Sequence, residues 1–76
     1  EAKKYYQLAV RYSEERGATD SGYYLYSLIS LGEIAAKEGN KAEAAKYFKE
    51  VKKKADRKDE AFKDAKRRLK KMERDD

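Results

Sequence analysis

The chain has 76 residues, a formal net charge of +5 and 46% charged side chains, which fits one small domain. It contains no cysteine and no histidine. That excludes disulfides and thiolate metal sites, and it removes the commonest general base and the commonest metal ligand.

No apolar run approaches the ~20 residues of a membrane span, and no signal peptide is visible. The chain opens at Glu1 without Met, as a piece cut from a longer protein would. Cytoplasmic residence is the default expectation for a cysteine-free chain. The charge is uneven. Residues 1–38 hold five basic and six acidic side chains, a net of −1; residues 39–76 hold fifteen and nine, a net of +6. Blocks such as Lys52-Lys53-Lys54 and Lys66–Lys71 carry the excess, which would attract acidic peptides, nucleic acid or anionic lipid. Proline is absent, and Ala, Lys, Glu, Arg and Leu favour helix. Below ~80 residues one core seldom supplies more than ~3–5 kcal/mol, so helix packing must provide the stability.

The first helix is predicted over residues 2–16. Ala2, Tyr5, Tyr6, Ala9 and Tyr12 recur at spacings of three and four and form one apolar stripe. Gly17 ends it, because glycine turns left-handed at little cost. Residues 18–22 read as a polar loop, in which Thr19, Asp20 or Ser21 caps the next helix.

The second helix is predicted over 23–38. Leu28, Leu31, Gly32 and Ala35 face the core, and the small pair Gly32 and Ala35 lets a neighbouring helix approach closely. Gly39 stops it. Asn40-Lys41-Ala42-Glu43 has the form of a capping box for a third helix over 41–55, with Ala44, Phe48, Val51 and Ala55 as its buried seam. So short a turn makes the second and third helices an antiparallel pair. Asp56, with Asp59 three residues on, marks the start of a fourth helix, over 58–73. Phe62, Ala65, Leu69 and Met72 form its apolar line. Lys52 to Glu60 contains no Gly or Pro, so one continuous helix from 41 to 73 stays open.

The spacing Leu28, Leu31-Gly32, Ala35, Ala44, Phe48, Val51 resembles the tetratricopeptide repeat, a 34-residue helix–turn–helix unit. The Leu-Gly pair and the Ala-x3-Phe match. The usual Trp, Tyr and closing Pro do not, and Asp56 stands where the Pro is common. A shift of 34 carries Leu28, Leu31 and Ala35 onto Phe62, Ala65 and Leu69, all apolar, so the fourth helix resembles the opening helix of a following unit or a terminal cap. Ala2-x3-Tyr6-x2-Ala9 resembles the closing helix of a preceding one. The match is good over residues 25–58 and loose on the flanks. It implies an all-α, four-helix antiparallel array, either a right-handed α-solenoid fragment or a compact helical bundle, that binds proteins and performs no catalysis.

Each helical residue advances ~100°. Tyr23, Tyr26, Ser30, Glu33 and Lys37 therefore fall opposite the core stripe of the second helix, the side that lines the groove in the repeat family. Lys63 and Arg67 join them from the fourth helix. Exposed tyrosines suit binding because they offer large area at small entropic cost. Tyr23 and Tyr26 could equally pack against the first helix, and Lys63 and Arg67 could simply pair with Asp59, Glu60 and Asp64. Some family members clamp a partner's C-terminal carboxylate; the matching groove positions here include Ile29 and Glu33, which depart from that pattern.

No metal-ligand cluster, Gly-rich phosphate loop or nucleophile–base pair is present, so no catalytic residue, metal or cofactor is assigned. The reading is a non-enzymatic module for a protein or peptide, an acidic one included, with self-association open. The rivals are an engineered or de novo helical scaffold without a native partner, and a basic nucleic-acid-associated domain, which the interleaved acidic residues disfavour. A membrane-surface role is disfavoured because the fourth helix needs its apolar line for the core.

Overall fold

Local chemistry fixes where each helix begins and ends. The computed structural model describes residues 1–19 and 21–74. It contains four helices: α1 (Ala2–Glu15), α2 (Gly22–Lys37), α3 (Lys41–Lys54) and α4 (Glu60–Arg74). Gly17, at φ 73°, closes α1, and the Ala18 amide reaches back to the Ser13 carbonyl at 2.9 Å. Ser21 caps α2 by accepting from the Tyr24 amide at 3.1 Å. Asp20, another of the candidate caps, lies outside the described residues. Gly39, at φ 81°, ends α2 with paired bonds: its own amide meets the Ala36 carbonyl at 3.1 Å and the Asn40 amide meets that of Ala35 at 2.9 Å. The side chain of Asn40 then caps α3 through the Glu43 amide at 3.2 Å and binds the Glu43 carboxylate at 2.8 Å.

One long helix over 41–73 does not form. Ala55 turns extended, at ψ 150°. Asp56 accepts from the Lys58 amide at 2.9 Å and Asp59 from the Ala61 amide at 2.9 Å. Two aspartates thus do together what no glycine or proline is present to do. They draw backbone N–H groups out of the helical ladder and re-aim them.

α2 is the central element. Tyr24, Leu25, Ser27, Leu28, Ile29, Leu31, Gly32 and Ala35 are all buried, so most of its circumference is covered. It packs against α1, α3 and α4, and α3 also packs against α4. Among the described residues α1 and α4 make no helix–helix contact. The result is a four-helix bundle opened into a slab of 37 × 31 × 14 Å. The core joins Tyr24, Leu25, Leu28 and Ile29 of α2 to Ala44, Phe48 and Val51 of α3 and Ala65 of α4.

The tightest point is where α2 crosses α3. A Cβ on Gly32 would stand 2.5 Å from Cε1 and 2.7 Å from Cζ of Phe48. Phe48 is itself buried, with the Arg68 guanidinium 5.8 Å from its ring centre. A side chain at position 32 must therefore displace the far edge of this ring, which borders the groove beside Arg68.

Two expectations for the flanking helices change. On α1, Ala9 lies inside as expected, but Tyr5 and Tyr12 are more than half exposed, and Ser13 and Val10 turn inward in their place. The helix touches α2 along a face rotated from the predicted stripe, where the small Ala9 and Ser13 allow close approach. On α4, Ala65 is buried but Phe62, Leu69 and Met72 are only half-buried, because no helix covers its outer side. Tyr24 ties α1 to α2: fully buried, it donates its hydroxyl to Glu14 Oε2 at 3.0 Å.

Gly32→Ala sets two effects against each other. Alanine gains about 1 kcal/mol of helix propensity over glycine. Displacing the buried ring by overpacking costs about 1–3 kcal/mol. Clash wins here, so Gly32→Ala should destabilise the parent chain yet stabilise a Phe48→Leu background. Urea unfolding of the four-member cycle checks this; identical effects in both backgrounds would show that the ring and the glycine are uncoupled.

Burial, reinforced by the Glu14 carboxylate, pushes the Tyr24 phenol upward. The unfolded phenol loses its proton near pH 10 while the folded one keeps it, so the folded state binds more protons above that pH. The stability this group contributes is complete below about pH 10 and drains away as pH rises. Tyr24→Phe should lose about 1 kcal/mol at pH 7 with the hydrogen bond. It should also decline less steeply than the parent between about pH 10 and 12. Parallel alkaline limbs in denaturant titrations would refute this.

Candidate functional site

With α1 on one flank and α4 on the other, one strip of α2 remains open between them. It carries Tyr23, Tyr26, Ser30, Glu33 and Lys37. Tyr23 is 50% and Tyr26 59% exposed, Ser30 and Glu33 are half-buried, and Lys37 is exposed.

The tyrosines do not project freely. Tyr26 meets the ring of Tyr6 edge-on at 6.0 Å, and Tyr6 meets Tyr5 edge-on at 5.3 Å. The hydroxyls of Tyr5 and Tyr23 lie 3.0 Å apart. Tyr6 also shares hydrogen bonds with Tyr26 and Ser30. Four rings from two helices thus form one continuous surface. The hydrogen bond to Tyr26 raises the Tyr6 phenol above its ordinary value, and the bond to Tyr5 does the same for Tyr23. Both stay protonated and uncharged at neutral pH, so each presents an apolar ring and a hydroxyl together.

α4 supplies the other wall. Gly22, Leu25, Tyr26 and Ile29 of α2 face Asp59, Glu60, Ala61, Asp64 and Arg67 across a groove of about 400 Å³. Further along, Glu33, Ala36 and Lys37 face Arg68, Lys71 and Met72 across about 280 Å³. Start lies beside start and end beside end, so α2 and α4 run parallel. The groove is acidic where the two helices begin and carries Lys37 and Lys71 where they end. Arg68 bridges the walls: it reaches Glu33 at 3.4 Å and Asp64 at 3.1 Å. Arg67 pairs with Asp64 at 3.2 Å, the intrahelical pairing that was one of its two readings. These pairs are partly exposed and contribute no more than ~1 kcal/mol each; their effect is to fix orientation.

Of the seven residues singled out from sequence, Tyr23, Tyr26, Ser30, Glu33, Lys37 and Arg67 border this one surface. Lys63 does not. It is exposed on the adjoining surface of α4, with Lys66, Lys70 and the groove residues Arg67 and Lys71. Ile29 is buried at the groove floor and offers no polar group to a carboxylate. Sequence reasoning missed Tyr5 and Tyr6 as part of the surface. The adjacent pair was a signal, but it was assigned wholly to the core.

Among the described residues no group of three or more acidic side chains stands where it could hold a metal ion, and no helix is long and apolar enough to cross a membrane. What the surface offers is area, phenol hydroxyls and fixed charges. No family model, curated protein or solved structure matches the chain.

Proposed function

We propose that this chain is a non-enzymatic binding module that holds a peptide or protein segment along the α2–α4 groove. The observation that carries the reading is the tyrosine surface. Tyr23 and Tyr26 are half exposed at the open strip, yet Tyr5 and Tyr6 hold them in place. Aromatic anchors that are already ordered lose little entropy when a partner arrives.

A tetratricopeptide-like arrangement is supported by three features. The helices pack with their chain neighbours, and α1 and α4 stay apart. α2 and α4 run parallel as equivalent first helices would. Gly32 sits under Phe48 at the crossing within the unit. The charged outer face of α4, with Lys63, Lys66 and Lys70, suits a terminal cap.

The groove also describes its partner. The carboxylates of Asp59, Glu60 and Asp64 favour a basic residue near the beginning of α2. Lys37 and Lys71 favour an acidic one near its end. An apolar or aromatic side chain between them would lie on Tyr26. The partner is thus an extended segment of mixed charge, and its two ends fix its direction in the groove.

Selection from a displayed library of random peptides tests this. The enriched sequences should carry a basic and an acidic end around an apolar centre. Tyr26→Ala should weaken them by at least about tenfold while unfolding free energy stays within about 1 kcal/mol of the parent. Peptides that bind Tyr26→Ala as tightly as the parent, or a loss of several kcal/mol on substitution, would refute the groove.

A further inference from the structure

Five basic side chains gather on one side of α4. Lys63, Lys66, Arg67, Lys70 and Lys71 line a single surface, and all five are exposed. At ~100° per residue they cover an arc of roughly 140°. The acidic residues that alternate with them in sequence leave that arc. Asp64 turns towards α2, where it holds Arg67 at 3.2 Å and Arg68 at 3.1 Å. Glu73 turns towards α3, next to Lys49 and Leu69. Among the described residues Lys63, Lys66, Lys70 and Lys71 form no ion pair. Ala65, Leu69 and Met72 point the other way, into the core. The arc is therefore unmixed: it carries cations and neither apolar nor aromatic side chains.

We propose that this face binds the phosphate backbone of duplex DNA without regard to sequence. Charge density selects that partner. From Lys63 to Lys71 the helix rises ~12 Å. A DNA duplex presents about seven phosphate charges over that length, one per ~1.7 Å. An extended peptide made wholly of acidic residues presents about four, at ~3.3 Å per residue. Five crowded cations are thus neutralised by a duplex and not by a peptide.

Shape agrees with charge. Only α2 and α3 pack against α4, so its outer half stands clear of the bundle among the described residues. A helix with its side chains is ~10–12 Å across, and the major groove of DNA is ~12 Å wide. Lys66 and Lys71 stand at the two ends of the arc, so each reaches the phosphates of one strand. Lys63, Arg67 and Lys70 lie between them, where the negative potentials of both strands add. The deep, narrow major groove of an RNA duplex does not admit a helix. With no apolar residue on the arc, it has nothing to sink into a lipid interface. With no aromatic residue, it has nothing to stack on unpaired bases. Asn and Gln are absent from it too, and Asp64 holds its one arginine, so base edges go unread.

Fluorescence anisotropy with a labelled DNA duplex of about 20 base pairs tests this. Two unrelated sequences should bind alike, and affinity should fall at least about fiftyfold between 50 and 200 mM salt. Lys66→Gln with Lys70→Gln should weaken binding at least about tenfold at 50 mM salt and flatten the slope of log K against log salt by about one to two. The thermal melt should not move, because both side chains are exposed. Lys4→Gln with Arg11→Gln removes the same charge from the exposed side of α1 and should leave affinity and slope unchanged. Absence of binding at 50 mM salt, or equal losses in the two double variants, would overturn the proposal. So would tighter binding to an RNA duplex, to polyglutamate or to vesicles containing 30% phosphatidylserine.

Discussion

A phenyl ring resting on bare backbone determines how this molecule is put together. Gly32 gives α2 one place without a side chain, and Phe48 of α3 fills it. That contact brings the two helices close enough for Leu28, Ala35, Ala44 and Val51 to bury around it. The outer edge of the same ring faces Arg68, so α4 is positioned by the residue that positions α3. Once α4 lies beside α2 and parallel to it, the groove between them follows. A change at Gly32 would therefore be felt first in packing and then in the width of the groove.

The same geometry decides what α2 leaves exposed. It is covered by α1, α3 and α4, and one strip escapes. On most central helices that strip would be charged. Here it begins with two tyrosines whose hydroxyls and ring edges engage two more from α1. Protonated phenols let this surface be partly apolar without being greasy. The fixed charges lie at the ends of the groove, and Arg68 binds its walls together through Glu33 and Asp64. Packing, orientation and ligand contact are thus divided among different residues of one helix pair.

Much of the central pair was legible in the sequence. Leu28, Leu31-Gly32, Ala35, Ala44 and Phe48 announced the crossing, and Gly39-Asn40 announced the turn, because each signal rests on contacts within a short stretch of chain. The open strip followed from helical periodicity alone, which is why six of seven candidate residues border one surface. α1 was harder. Tyrosine satisfies an apolar pattern whether its ring is inside or half outside, so Tyr5 and Tyr12 completed a stripe that the tertiary contact does not use. Ser13 is buried although its type suggests otherwise. The break at Ala55 depended on two aspartates in concert, and neither is a stop signal by itself. Lys63 lies one turn from Arg67 and beside the groove, because the face of α4 that borders α2 is set by the crossing, not by the sequence of α4.

The seating of Phe48 on Gly32 is directly visible to nuclear magnetic resonance in solution. Ring currents should displace the Gly32 α-proton resonances strongly from their ordinary helical positions, with cross-relaxation to the Phe48 ring protons. Ordinary Gly32 shifts with no cross-relaxation to that ring would mean that α2 and α3 do not meet there, and the account of core and groove would fail together.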